Sequence, residues 1–238
     1  IIDNNDDDVY YNKVNNKTHT RPLRDFHNLY VKNILVKNIS RPGYTLIDYA
    51  CGKGGDIPKW INSSLNFVLG IDLAKDNIEN RLDGACARYL NYSSKYTSMP
   101  SALFLHGNSS ANIKDGSALY NEKNKNIIKA LFGEGSKNEL SLGRAVYENY
   151  GIVKSGFNIS SIQFALHYMF ENVNILNEFV KNLSQCTSVN GYFIGCCYDG
   201  TRVFNMLKQT KYGESITLFK DSNKIWQITK QYESNEFL

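Results

Sequence analysis

Several features that would settle the class of this protein at once are scarce. Cysteine is one of them: Cys51, Cys86, Cys186, Cys196 and Cys197 are odd in number, and none stands in a C-x-x-C pair. That argues against a disulfide framework or a zinc site and points to a reducing compartment. No apolar run approaches membrane-spanning length, and no signal-peptide pattern opens the chain. Neither sign of charge dominates. A formal charge of +4 is compatible with nucleic acid but too slight to argue for it alone. No internal repeat is present. What is plentiful is apolar: 42% hydrophobic and 13% aromatic residues suffice for a proper core, and 238 residues suit one α/β domain with an extra terminal arm. The first residue is Ile1, so a piece of a longer polypeptide is expected.

Residues 1–22, with the acidic run Asp6-Asp7-Asp8, read as a polar, solvated arm, and 23–238 as the folded domain. Apolar residues recur at helical spacing from Leu23 to Ile39, and Arg41-Pro42-Gly43 stops that helix. Short apolar strands then alternate with helical segments, the pattern of a mostly parallel sheet flanked by helices. Strands are expected at Thr45–Ala50, Asn66–Ile71, Ala102–His106, Phe157–Gln163 and Tyr192–Cys197. Helices are expected at Ile57–Asn62, Lys75–Tyr92, Ile175–Cys186 and Arg202–Lys208, with a late hairpin from Thr217–Phe219 and Ile225–Thr229. The Lys- and Asn-rich stretch within about 112–155 breaks the rhythm and reads as a solvated insertion with one or two helices.

The informative segment is Leu46-Ile47-Asp48-Tyr49-Ala50-Cys51-Gly52-Lys53-Gly54-Gly55-Asp56, a buried strand entering a glycine-rich turn and then a helix. Glycine suits a turn that needs positive φ and lets a ligand approach the backbone. Asp72, closing the next strand in Gly70-Ile71-Asp72-Leu73, can accept ribose hydroxyls. Together these describe a Rossmann-like nucleoside site. Ala50 occupies the first glycine position of the dinucleotide pattern and no G-K-[ST] follows Lys53, which disfavours a nicotinamide or a P-loop and favours S-adenosylmethionine.

Four blocks carry a resemblance: Leu23-Arg24-Asp25-Phe26-His27-Asn28 with Lys32, the glycine segment, Gln163-Phe164-Ala165-Leu166-His167-Tyr168, and Gly191-Tyr192-Phe193-Ile194-Gly195. From about residue 22 to 230 the chain resembles mRNA cap guanine-N7 methyltransferases, above all those of large DNA viruses of eukaryotes, which share the Asp76-Asn77-Ile78-Glu79-Asn80-Arg81 stretch. The resemblance implies a Rossmann-like, S-adenosylmethionine-dependent methyltransferase that yields S-adenosylhomocysteine. Lys32, Asp48, Ala50, Gly52, Asp72, Asn108, Gln163 and Tyr168 would hold the cofactor, with Asn108 replacing the family's usual acidic residue by another acceptor. His27, Asn28, Lys53, Lys59, Arg88, Phe164, His167 and Glu236 would hold the cap, with Arg81 a rival to Arg88. One residue more than the family's spacing separates Asn28 from Lys32. The family's sheet ends with further strands, so a C-terminal truncation is expected.

Such a site makes chemical sense. Guanine N7 carries a lone pair and no proton, so its methylation needs neither a general base nor a metal, only alignment and exclusion of water. His167 and Tyr168 would position rather than act as acid or base. The implied partners are capped mRNA (a GpppN 5′ end), other capping-enzyme domains or an activating subunit, and no membrane. The implied location is the cytoplasm of a host cell or a virion, or the nucleus. Methylation of another RNA position or a small molecule, and a non-catalytic cofactor- or cap-binding subunit, stay open. His106 and the Cys196-Cys197 pair read as structural.

Overall fold

A computed structural model describes residues 19–234. Helix α1 (Arg21–Asp25) starts with Pro22 in its first turn, where a missing N–H is harmless, and runs through a π-helical turn (Phe26–Val31) into α2 (Lys32–Ile39). Then come β1 (Thr45–Asp48), α3 (Ile57–Asn62), β2 (Phe67–Asp72), α4 (Lys75–Glu79), α5 (Ala85–Ser93) and β3 (Ser101–His106). Helices α6 (Glu122–Leu131), α7 (Glu139–Leu142) and α8 (Arg144–Glu148) precede β4 (Phe157–Gln163), a 3₁₀ turn (Leu166–Phe170), α9 (Val173–Cys186) and β5 (Thr187–Cys196). Helix α10 (Gly200–Leu207) and the hairpin β6 (Ser215–Lys220) and β7 (Asn223–Thr229) follow.

The five-stranded sheet has the order β3-β2-β1-β4-β5, and every pairing in it is parallel. Every residue of β1 and β2 is buried, as befits strands covered on both faces. The main core cluster holds Ile47, Phe67, Leu69, Phe157 and Phe179, a second holds Leu46, Trp60, Val68 and Ile159, and a small third groups Cys51, Ile78 and Ala85. The chain winds outward from β1 to β3 and then returns to β4 on the other side of β1. The carboxyl ends of β1 and β4 therefore flank the crevice where such sheets bind ligands.

Three expectations change. The segment expected as one helix, Lys75–Tyr92, is two, because Asn80 Oδ1 accepts the N–H groups of Leu82 (3.0 Å) and Asp83 (3.3 Å) and turns the chain. Gly84 closes that turn, since a Cβ there would lie 2.7 Å from the Asn80 backbone. The insertion carries three helices rather than one or two, and α6 is not merely solvated: Ile127, Ile128 and Leu131 enter the main core while its lysines face outward. Helix starts at Arg21, two residues before the expected Leu23, and the acidic run Asp6-Asp7-Asp8 lies outside the described residues.

Candidate active site

Strand β1 delivers Asp48 to the crevice, and the turn beyond it is bolted to its neighbours. Tyr49 N–H donates to the Ser161 carbonyl (2.9 Å) and Cys51 N–H to that of Ile71 (3.0 Å). Gly52 has φ +53°, and a Cβ there would meet nothing within 4 Å; it faces open space and needs glycine for its backbone conformation. Its N–H donates to Asp72 Oδ2 at 2.7 Å, while Asp72 Oδ1 accepts from Ala74 N–H (3.0 Å) and Asn77 Nδ2 (2.9 Å). A carboxylate has about four acceptor positions, so Asp72 keeps one free. Asp48 accepts from Ala50 N–H at 3.2 Å. Burial, reinforced by the nearby Asp56 charge, pushes the Asp48 pKa up to about 7.

The cations are already paired. Lys32 Nζ lies 3.2 Å from Asp56 Oδ2, and Lys59 Nζ 2.8 Å from Asp56 Oδ1. Burial works against the Asp56 charge, but the two ammonium groups hold its pKa below the ordinary carboxylate value. Lys53 Nζ sits between Asp83 Oδ1 (2.8 Å) and Asp76 Oδ2 (3.1 Å). Burial opposes its charge too, yet the two carboxylates carry its pKa above that of a free lysine. The Lys32–Asp56–Lys59 group thus carries net charge +1 and the Asp76–Lys53–Asp83 group −1. Lys59 is buried as well as paired.

The end of β4 forms the other wall. Gln163 donates through Nε2 to Ser161 Oγ at 3.1 Å. Phe164, at φ +61°, holds a left-handed conformation costly for a bulky residue, fixed by its N–H on the Cys196 carbonyl at 2.7 Å. Its ring meets His27 edge-on (centroids 5.2 Å apart) and lies 5.5 Å beneath Lys32 Nζ. Next in the chain, His167 packs against Tyr168 (4.2 Å) and Tyr198 (5.2 Å), and burial lowers its pKa. Its ring is therefore uncharged at neutral pH.

Six buried side-chain polar atoms lack a hydrogen-bond partner among the described residues. Four lie in the π-helical turn, at or after the end of β4, or against Asp72: His27 Nδ1, Gln163 Oε1, His167 Nδ1 and Asn77 Oδ1, while Asp76 Oδ2 is engaged by its ion pair with Lys53. Unsatisfied buried atoms are rare, and their concentration on these segments marks a place where a polar ligand completes the bonding.

The structure thus brings Lys32, Asp48, Ala50, Gly52, Asp72, Gln163, Phe164 and His27 to the carboxyl ends of β1, β2 and β4, with His167 in the 3₁₀ turn that follows, against Tyr168 and Tyr198. Asn28 is half-buried beside His27 in the π-helical turn, and Tyr168 is 46% exposed at the rim. Asn108 stands apart in its bonding, because its Oδ1 already accepts Ser110 N–H at 2.9 Å. Arg88 is half-buried on α5, a turn beyond the Lys53–Asp83 pair, while Arg81 is exposed. Glu236 lies outside the described residues. Sequence reasoning does not single out Tyr198 or Asp83. Tyr198 follows a strand end, where ligands are expected, but nothing local announces the Asp83 pairing across 30 residues.

A parallel sheet of this order, with a glycine turn after β1 and a buried carboxylate ending β2, defines a Rossmann-like domain of the nucleoside-binding type. More narrowly, residues 4–236 match the mRNA (guanine-N(7))-methyltransferase domain, and the chain belongs to that family. A protein of Acanthamoeba polyphaga mimivirus named "Probable mRNA-capping enzyme" is 26% identical over 230 residues, covering 93% of this chain and 18% of its own length. The mRNA cap guanine-N(7) methyltransferase of Saccharomyces cerevisiae is 26% identical over 218 residues, covering 90% of this chain and 41% of its own. Among solved structures, an S-adenosylmethionine-dependent methyltransferase from Clostridium acetobutylicum aligns with TM-score 0.46 and 11% identity over 83% of this chain and 58% of that one. This chain therefore spans less than half the length of these two curated relatives.

Proposed function

We propose that this domain transfers a methyl group from S-adenosylmethionine to N7 of the guanine in an mRNA cap, leaving S-adenosylhomocysteine. The observation that carries the reading is the set of unsatisfied polar atoms on His27, which packs on the Phe164 ring, and on Gln163 and His167 of the segment that ends β4, at the switch point of the sheet of a chain in this family. When bound, the cofactor supplies an electrophilic methyl on a sulfonium. The residues present fit it. Gly52 leaves open space, Asp72 retains one acceptor position for a ribose hydroxyl, and Asp48 and the Lys32–Asp56 pair offer groups of both signs to an amino-acid end.

The chain's own task is then to orient. N7 has no proton to lose, so no side chain need act as base. Positive charge passes to the guanine ring as the methyl arrives, and an uncharged His167 does not repel it. Gln163 Oε1 and His167 Nδ1 have no hydrogen-bond partner among the described residues and remain to be met by a ligand. Cap phosphates reaching Lys53 would displace Asp76 or Asp83, a cost that the charged ligand must exceed. Capped RNA is the substrate in this reading. The greater length of the mimivirus relative supports joined capping domains as partners.

The test is methyl transfer from labelled S-adenosylmethionine to GpppA-capped and uncapped RNA, with His167→Ala alongside. Label should appear as 7-methylguanosine on capped RNA only and fall at least tenfold in the variant. Label elsewhere, or none despite a thermal shift with S-adenosylhomocysteine, overturns the assignment of substrate.

A further inference from the structure

A file of rings leads out of the crevice. Phe164 meets His27 edge-on at 5.2 Å, His27 meets Phe26 edge-on at 5.6 Å, and Phe26 lies nearly parallel to Tyr30 at 5.4 Å with 24° between the planes. The two outer rings are 52% and 57% exposed, and Leu29 beside them is 72% exposed. They are not core, for neither α1 nor the π-helical turn buries a single residue. From Arg21 to Ile39 the chain carries Arg21, Arg24, Lys32 and Lys37 against one acidic residue, Asp25; Arg21 is engaged by Asp25 at 3.3 Å and Lys32 by Asp56, so Arg24 and Lys37 carry the helix's remaining positive charge. A contiguous apolar patch on a basic helix, joined to a binding crevice, marks an interaction surface rather than packing.

We propose that Phe26 and Tyr30 form a stacking platform for the bases of the single-stranded RNA that follows the triphosphate bridge. This rests on the cap reading above. The occupant follows from continuity and charge. A capped transcript seated with its guanine near His27 and His167 must lead its chain out of the crevice, and the rings start where His27 ends. Exposed aromatic faces beside arginines bind single strands through stacking and phosphate attraction. Stacking is indifferent to base identity, which suits an enzyme whose substrates share only the cap. The edge-on inner contacts leave the outer faces of Phe26 and Tyr30 as the pair able to take a base in parallel.

The experiment uses the whole chain and an uncapped 5′-triphosphate RNA oligonucleotide bearing 2-aminopurine at its first or second nucleotide. Stacking quenches the probe. Quenching on binding should weaken about 5- to 100-fold in Tyr30→Ala and return in Tyr30→Trp, which restores a ring. In parallel, KM for capped RNA should rise in Tyr30→Ala toward that of the dinucleotide GpppA, with kcat and KM for GpppA unchanged. Binding without quenching, or quenching that survives both Tyr30→Ala and Phe26→Ala, overturns the platform. So does an absence of RNA binding, which would leave the patch to a protein partner. The two readings separate cleanly: methylation of caps without quenching sinks the platform alone, and quenching without cap methylation sinks the cap reading.

Discussion

Asp48 is a carboxyl group that the fold holds at the edge of ionisation. Its pKa of about 7 arises first from burial and then from Asp56, whereas the unfolded chain ionises it near 4. The folded state therefore binds this proton more tightly. The stability Asp48 contributes is full below pH 4 and is lost as pH rises through 7. In the unliganded protein Asp48→Asn should flatten that decline, read as a smaller drop in Tm between pH 5 and 8. Ligand binding should run the other way. If the ionised carboxylate faces a cationic ligand group, affinity for S-adenosylhomocysteine rises across pH 6 to 8, by at most about tenfold per unit. Titration calorimetry on wild type and Asp48→Asn checks both slopes. An affinity independent of pH in the wild type removes Asp48 from the cofactor site. Phe164 offers a second residue-scale test, because its left-handed backbone and its ring make opposite contributions. Phe164→Gly relieves strain of order 1–3 kcal/mol while removing the contact with His27. Tm should hold or rise as KM for the cap increases at least tenfold, with cofactor affinity little changed.

The π-helical turn between α1 and α2 gives physical meaning to the extra residue between Asn28 and Lys32. A wide turn absorbs one residue without breaking the helix, so Lys32 still reaches Asp56 while His27 still meets Phe164. Inserting one alanine after Leu29, which is exposed, adds a residue beyond what the wide turn takes up and should rotate the part before it by about 100°. Cofactor affinity should survive, because Lys32 lies after the insertion, whereas KM for capped RNA should rise at least tenfold as His27 leaves Phe164. A loss confined to cofactor binding would mean that the turn serves Lys32 instead. At this scale much was legible in advance. The five strands, the glycine turn and Asp72 follow from apolar runs and glycine placement, which are local properties. The break at Asn80 was not, because a side-chain acceptor rather than a change of periodicity makes it. Nor was the left-handed Phe164, since its conformation depends on a hydrogen bond to Cys196 on a neighbouring strand. The pairing of Lys53 with Asp76 and Asp83 was equally hidden, since partner choice among charges is decided by tertiary packing.

Across the whole molecule, order should be distributed unevenly. Strands β1, β2 and β4 lie in the middle of the sheet with nearly every residue buried, whereas β6 and β7 pair only with each other and expose Leu218, Phe219 and Trp226. A two-stranded hairpin gains little stability of its own, so native-state hydrogen exchange should be fastest there and slowest in β1 and β4. The ligand crevice sits at the ends of the slow strands and shares no strand with the hairpin. S-adenosylhomocysteine at a hundred times its Kd should stabilise the fold by about 2.7 kcal/mol, raising Tm by roughly 5–10 °C for a domain of this size. NAD should give no shift, since Ala50 stands where the dinucleotide turn needs glycine. The added protection should appear in the strands around Asp48, Asp72 and Gln163 and leave β6–β7 exchanging as before. Equal protection of the hairpin would show that it docks against the sheet when the crevice fills, and that the crevice and the C-terminal elements respond to the ligand as one unit.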